Sequence, residues 1–352
     1  METQFENILI IKPSALGDVV HALPALGALR RAFPASKITW MIRREFAPLL
    51  ECVKGLDEVL LFERKALGRW YAPSGWAAMR ALMGRLRGGH YDLVLDLQGL
   101  LRTAVFSRLS GSPVRVGMAD ARELAPLFYT HKARPADGSL HMADRYRAAL
   151  AAIGAGEMDL QVAFEPPATA VEHVHRLLDE AGLAEGCFAV LIPGAAHESK
   201  RWPIERFAAA AERLVRDYGL SVAAVGTAGE KRIVSALQQV SAVPIADLSG
   251  RTTIPQLVAV LQRAALVVSN DTGPGHIAVA AQTPTVLVFG PTNPEWVGPY
   301  RQPEAVVAIE PEHRGRAIRS RNPDHRIERV SVQAVMDAIG RRLRRKSGEH
   351  GR

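Results

Sequence analysis

Two segments in opposite halves of the chain share one plan: a buried apolar run, a glycine-containing turn, then a helix start with a polar group at the turn. The first is IIKPSALGDVVHALPAL (10–26) and the second is VVSNDTGPGHIAVAAQTPTVLVFGPTNP (267–294). An apolar run without alternation marks a strand covered on both faces, and such strands belong to parallel sheets flanked by helices. Two such turns, one per half, imply two Rossmann-like domains facing a shared cleft. Their chemistry differs, since the first offers a carboxylate, Asp18, and the second an anion site.

The alternation runs through both halves. Strand patterns occupy 7–12, 37–42, 57–62 and 91–98, with helical spacing after KPSALG and at 75–87 and 141–154. The stretch 154–170 has no sustained period and contains Pro166 and Pro167, so it is the expected domain boundary. Strand patterns then resume at 188–193, 221–226, 266–270 and 285–290, with helices at 203–219, 229–240 and 254–265. Strands alternating with helices predict an α/β class with parallel sheets and right-handed crossovers. The expected division is 1–160, 170–328 and a basic amphipathic helix in 329–352 packing toward the N-terminal domain. At 352 residues the chain has room for two such domains. The Arg- and His-rich segment 311–328 fits no pattern.

A formal net charge of +8 favours acidic partners, among them nucleic acid, anionic lipid and phosphorylated sugars, although a merely basic surface reads equally well. Cys52 and Cys187 lie far apart with no metal or redox spacing, which argues against a zinc site or disulfide scaffold and for a reducing compartment. The opening METQFENILIIK has acidic residues and too short an apolar run for a signal peptide. No apolar run reaches the length of a membrane span, so work on a membrane would proceed from its surface.

In open parallel sheets ligands bind at the carboxyl ends of the strands, where both turns fall. In the second, Asp271 or Thr272 can cap the helix, leaving amides around Thr272, Gly273 and Gly275 for an anion, with His276 one turn in. Taken alone this turn reads equally as an ordinary capped helix with a buried histidine. The loop 191–207 places His197, Lys200 and Arg201 ahead of a Pro-initiated helix, and a lysine there can neutralise a leaving pyrophosphate. Glu230, in GTAGEKR, can accept from ribose hydroxyls, but its simpler reading is a first-turn glutamate favoured by the helix dipole. In the first half, Asp18 is either a helix cap or a general base. Arg64, Lys65, Arg69, Arg102, Arg122, His141 and Arg145 would bind an acid-rich acceptor if they converge, and are scattered surface charges if they do not.

Read together, KxSxxGDVxHxLP (12–24), YDLVxDxQGLLR (91–102), AREL (121–124), Lys200-Arg201-Trp202-Pro203, SNDTGPGH (269–276) and FGPTNP (289–294) resemble the ADP-heptose:lipopolysaccharide heptosyltransferases, glycosyltransferase family 9. The resemblance covers about residues 8–300, and 91–145 is most similar to the heptosyltransferase I branch. It implies a GT-B architecture, with Asp18 matching the proposed catalytic base and Lys200, Asp271, Thr272, Gly273 and His276 the diphosphate site. Ser14 and Glu230 fall among the donor contacts, and Arg64, Lys65, Arg69, Arg122, His141 and Arg145 among the acceptor contacts. Two departures stand out: GAAHES before Lys200 lacks phosphate-binding hydroxyls at Ala195 and Ala196, and the helix starts GPGH rather than Gly-Leu-Ser-His.

The expectation is an inverting transfer of heptose from ADP-heptose to a Kdo-lipid A glycolipid. ADP-sugar is a co-substrate, no other cofactor or metal is required, and nucleic acid is not a partner. A monomer in the cytoplasm is expected, associated peripherally with the inner membrane through its basic surface and the tail RRLRRK (341–346). Three rivals differ in what they require. A nicotinamide-dependent dehydrogenase needs GxGxxG after its first strand, where KPSALGD stands instead. A sugar-nucleotide epimerase would turn over without an acceptor. A nucleic-acid-binding protein would bind random DNA in a salt-sensitive way, indifferent to Asp18.

Overall fold

A computed structural model describes residues 4–63, 73–135, 138–312 and 314–349. The chain forms two compact units, Met1–Ala163 and Phe164–Arg352. Each is built on a six-stranded sheet whose strands pair in parallel.

In the first unit the strands are β1 (Asn7–Ile11), β2 (Lys37–Arg43), β3 (Glu58–Phe62), β4 (Leu93–Asp96), β5 (Val114–Met118) and β6 (His131–Ala133), in the order β3-β2-β1-β4-β5-β6. The chain runs outward from β1 to one edge, restarts at β4 and runs outward to the other. The loops leaving β1 and β4 therefore part from each other, and a crevice opens at the carboxyl ends of these two neighbours. Their register sets Ile8 beside Leu93 and Ile11 beside Asp96. The helices are α1 (Leu16–Ala32), α2 (Pro73–Gly88), α3 (Leu101–Leu109) and α4 (Met142–Ala151). Ile8 to Ile11 are fully buried, as expected for a central strand covered on both faces.

The second unit repeats the plan. Its strands β7 (Phe188–Ile192), β8 (Ser221–Ala224), β9 (Ala246–Asp247), β10 (Leu266–Asn270), β11 (Thr285–Val288) and β12 (Val306–Val307) are ordered β12-β11-β10-β7-β8-β9, so its switch point lies between β7 and β10. The helices are α5 (Ala168–Glu180), α6 (Ile204–Tyr218), α7 (Lys231–Val240), α8 (Ile254–Arg263), α9 (Gly273–Ala280), α10 (Pro294–Val297) and α11 (Val332–Glu349).

Several elements go beyond the sequence expectation. Strands β9 and β12 are two residues each, and β6 is a short edge strand with a polar sequence, HKA, so none has room for a periodic signal. Helix α5 starts within the proline-containing stretch expected to be a boundary, because Pro167 occupies its N-cap, where a missing N–H costs nothing. The last helix, expected to pack toward the N-terminal domain, has an apolar face in the core of the second unit. Val335, Met336, Ala338 and Ile339 of α11 complete the core of the second unit beside Leu214, Val286 and Val288. That apolar face is used where the chain has just left the same sheet.

The unassigned segment 311–328 folds onto the turn after β11. The Asn293 N–H donates to the Ile318 carbonyl at 2.9 Å, and the Ser320 N–H to the Pro291 carbonyl at 2.7 Å. The buried Arg314 guanidinium donates to the carbonyls of Gly290, Thr292 and Ile309. An arginine buried on carbonyls in this way is a staple for a turn whose only ladder pairing among the described residues is the isolated Thr292–Arg319 bridge.

Helix α9 lies close on its sheet because Gly275 has no side chain. A Cβ there would stand 2.6 Å from Ser269 Oγ and 2.7 Å from Leu287 Cδ2. Gly275→Ala is expected to lower stability by roughly 1–3 kcal/mol, the usual cost of overpacking, despite the better helix propensity of alanine. Urea denaturation reads this, and an unchanged midpoint would show that the helix can shift away freely.

Candidate functional site

The second unit gathers its charged groups at the carboxyl ends of β7 and β10. Strand β10 ends at Asn270, whose side chain ties the two diverging loops: its Oδ1 accepts from the Trp202 N–H at 3.0 Å and its Nδ2 donates to the Pro193 carbonyl at 2.8 Å. The next residue, Asp271, is buried. One carboxylate oxygen accepts from Lys200 Nζ at 2.6 Å, and the other lies 3.1 Å from His276 Nε2. Burial on its own raises a carboxyl pKa. Here the His276 hydrogen bond and the Lys200 charge outweigh burial and hold Asp271 well below the usual carboxylate range.

This arrangement departs from the expectation that Asp271 or Thr272 caps α9. The Asp271 oxygens face Lys200 and His276, and the Thr272 hydroxyl lies 3.2 Å from Ser269 Oγ. Thr272 is the N-cap residue by position but makes no side-chain cap bond, and Gly273 opens the helix. The positive end of α9 is thus left to the solvent side of the turn, next to the Lys200 ammonium, which is a setting for an anion.

Around this centre the loop after β7 is held by Arg201, whose Nε and a terminal nitrogen donate to the Ala195 carbonyl at 3.0 and 2.9 Å. Arg201 is a loop anchor, while His197 and Ala196 are exposed. Glu230 stands at the start of α7, and its carboxylate accepts from the Thr227 N–H at 2.8 Å and the Thr227 hydroxyl at 2.9 Å. It also lies against this loop, since a Cβ on Gly194 would stand 2.2 Å from Glu230 Oε1. Lys200, Glu230, Asp271, Thr272, Gly273 and His276 therefore share one edge of one sheet.

In the first unit Asp18 lies in the first turn of α1, half-buried, and accepts from the Ala15 N–H at 3.0 Å. It is a helix-end carboxylate in form, and it stands at the β1/β4 switch point. The Ser14 N–H donates to Gln98 Oε1 at 3.4 Å, a contact between the two loops of that crevice. Beneath them is a group the sequence reading passed over, Lys12. It is buried, with Nζ donating to the Leu97 carbonyl at 3.0 Å and lying 5.7 Å from the Tyr146 ring centroid. Burial lowers an ammonium pKa, but Tyr146 and the Asp18 and Asp96 carboxylates raise it by more, so Lys12 titrates above the ordinary lysine value. Its signal was present as a lysine closing an otherwise apolar strand. Asp96, also passed over, is buried and accepts from the N–H groups of Gln98 and Gly99 and from the Tyr129 hydroxyl at 2.7 Å.

The basic residues expected to converge are handled differently from one another. Arg64, Lys65 and Arg69 lie outside the described residues. Arg102 and Arg122 are exposed, and the Arg122 N–H donates to the Gly99 carbonyl at 3.2 Å, next to the crevice. His141 is the N-cap of α4, its Nδ1 accepting from the Ala143 N–H at 3.1 Å, and its ring lies 6.1 Å from that of His21. The Arg145 guanidinium is buried and grips both oxygens of Asp120. Among the described residues no cluster of three or more His, Cys, Asp or Glu side chains is arranged to hold a metal ion, and no helix is long and apolar enough to cross a membrane.

Residues 79–323 match the family model for glycosyltransferase family 9 (heptosyltransferase). The chain is 32% identical to lipopolysaccharide heptosyltransferase 1 of Pseudomonas aeruginosa, over 84% of this chain and 81% of that one. It is 30% identical to the Escherichia coli K12 protein of the same name, over 95% and 99%. The solved structure of E. coli heptosyltransferase WaaC with ADP-2-deoxy-2-fluoro heptose superposes with a TM-score of 0.73 at 26% identity, covering 95% of this chain and 99% of that one.

The Asp271 carboxylate ties the stability of the second unit to pH. Its pKa is depressed by folding, so its contribution is complete above the ordinary carboxylate range, begins to fall as pH drops into that range, and is gone only once pH has fallen through the depressed folded value. Asp271→Asn is expected to lower the urea midpoint at pH 7 and to flatten its decline between about pH 5 and pH 3. Parallel declines in the two proteins would contradict the assignment.

Proposed function

The chain belongs to glycosyltransferase family 9, and on that premise we propose that it transfers heptose from ADP-heptose to a Kdo-lipid A acceptor in lipopolysaccharide inner-core synthesis. The observation that carries the reading is the Lys200–Asp271–His276 cluster beside the uncapped start of α9. Such a site suits a diphosphate. Asp271 fixes the Lys200 ammonium in position before any ligand arrives, and preorganised donors of this kind act without reorganisation as charge develops. Where hydroxyl residues are missing at Ala195 and Ala196, the backbone amides of that loop and of Thr272 and Gly273 are the remaining donors.

The reaction is an inverting single displacement. An acceptor hydroxyl attacks the anomeric carbon, the bond from that carbon to the diphosphate oxygen breaks, and its electron pair leaves on ADP. Asp18 takes the hydroxyl proton, with the buried Lys12 ammonium close enough to interact with it electrostatically. Lys200 and the α9 amides stabilise the departing diphosphate. Glu230, at the edge of the same site, suits the ribose, and Ser14 the donor side of the first loop. Arg122 and His141 suit an acceptor bearing carboxylates, together with Arg64, Lys65 and Arg69. Arg145 acts there through Asp120. The protein works as a monomer at the cytoplasmic face of the inner membrane, where a glycolipid acceptor is presented, with ADP-heptose as its co-substrate and no further cofactor.

Incubation of the purified protein with nucleotide sugars and Kdo-lipid A, followed by mass spectrometry, tests the reading; a heptose added only from ADP-heptose is the expected product. Asp18→Asn is expected to lower kcat by about 10²- to 10⁴-fold with little change in ADP-sugar affinity. Near-normal turnover would remove Asp18 as base. Lys200→Ala is expected to weaken ADP binding about ten- to a hundred-fold, in line with loss of a charged hydrogen bond of about 1.5–3 kcal/mol. Unchanged affinity by calorimetry would remove Lys200 from the diphosphate site.

A further inference from the structure

The carboxyl-end face of the first sheet carries an unusual group of apolar side chains. Leu124 and Leu127 are 70% and 72% exposed, and Leu101 is 38% exposed. A single exposed leucine needs no account, but these are neighbours. The Leu101 N–H donates to a Glu123 carboxylate oxygen at 3.2 Å, and the Leu127 N–H donates to the Leu124 carbonyl at 3.1 Å. Glu123 and Leu124 both have positive φ, 56° and 63°, a region L-residues other than asparagine and aspartate rarely adopt. A strained turn that sets a leucine into water gains nothing in water, and strain of this kind clusters where a surface is used.

The surrounding charge is basic. Arg102, Arg122 and Arg134 are exposed at the same end of the sheet. Of the acids nearby, Asp120 is gripped by Arg145, and Glu123 accepts from Leu101. Helix α3, which starts at Leu101, follows directly from the β4 loop that borders the Asp18 crevice.

We propose that Leu101, Leu124 and Leu127, with the exposed Arg102 and Arg134 at the same end of the sheet, form the surface by which this chain docks on an anionic lipid bilayer. The leucines enter the boundary between headgroups and acyl chains, and the arginines pair with lipid phosphates. This rests on the proposed glycolipid acceptor. The sugars of a glycolipid stay close to the headgroup plane, so a lipid-docking surface has to adjoin the residues that receive them, and this patch adjoins Asp18. The basic tail serves less well, because the apolar side of α11 is built into the core and Arg342 is bound to Glu304 at 3.0 Å.

The test compares wild type with the double variant Leu124→Ser, Leu127→Ser and with Arg134→Gln. Co-sedimentation is measured with phosphatidylcholine vesicles, with and without phosphatidylglycerol. Wild type is expected to bind the anionic vesicles. The double variant should bind them at least about ten-fold more weakly, and Arg134→Gln about five-fold more weakly. Circular dichroism and ADP affinity, unchanged in both variants, show that the fold is kept. Transfer to a deacylated, water-soluble acceptor should be unchanged in the double variant, and transfer to vesicle-embedded acceptor should fall. Undiminished vesicle binding by the double variant overturns the proposal, as does equal wild-type binding to neutral vesicles. A wild-type dimer that becomes monomeric in the double variant would assign the patch to self-association and also overturn it. If wild type fails to transfer to the soluble acceptor, the functional reading falls, and the vesicle measurements still decide the docking surface.

Discussion

A carboxylate taken out of water must be matched by opposite charge and hydrogen bonds, and much of the second unit's switch point follows from that requirement at Asp271. Its two partners come from different places: Lys200 from the loop after β7, and His276 from the helix after β10. Satisfying one buried charge therefore joins the two loops that the strand order sends apart. It also decides the fate of the helix terminus. Because Asp271 faces Lys200 and His276, it does not cap α9, and the Thr272 hydroxyl faces Ser269. The start of α9 is left without a side-chain cap because the available groups are engaged elsewhere.

The first unit shows the same edge with the charges exchanged. There a buried lysine, Lys12, lies beneath a half-buried carboxylate, Asp18, whereas in the second unit a buried carboxylate lies beneath a largely buried but reachable lysine. In each unit the deeper group carries the resolved shift: Lys12 titrates above the ordinary lysine value and Asp271 below the usual carboxylate range. This exchange suits a transfer reaction, which needs a proton acceptor for the nucleophile and a cation for the leaving diphosphate. In the proposed mechanism one doubly wound plan supplies a place for both.

Much of this was legible in the chain. The central strands were visible because strands buried on both faces read as continuous apolar runs, and the two switch-point turns were visible because glycines and polar residues interrupt those runs at the carboxyl ends. Short elements such as β9 and β12 were not legible, since two residues carry no period. Helix α5 was hidden by Pro166 and Pro167, which signal a break and a helix start in the same way. Lys12 and Asp96 were overlooked because a charged residue at the end of an apolar strand looks like the strand's limit. Arg145 looked like a displayed cation, and only its position opposite Asp120 shows where its guanidinium goes.

The sequence by itself determined the two-unit α/β plan and the location of its polar turns, because hydrophobic period and turn residues act over neighbouring positions. It also carried the family motifs. Only the tertiary structure decided which oxygen of Asp271 meets which partner, that the Arg- and His-rich segment staples the turn after β11 through Arg314, and that α11 completes the second core. Those outcomes depend on groups tens to more than a hundred residues apart, such as Lys200 with Asp271 and Trp202 with Val330. Pairing over such separations leaves no local pattern in the chain; it is selected when burial forces each polar group to find a partner among those the fold has brought near.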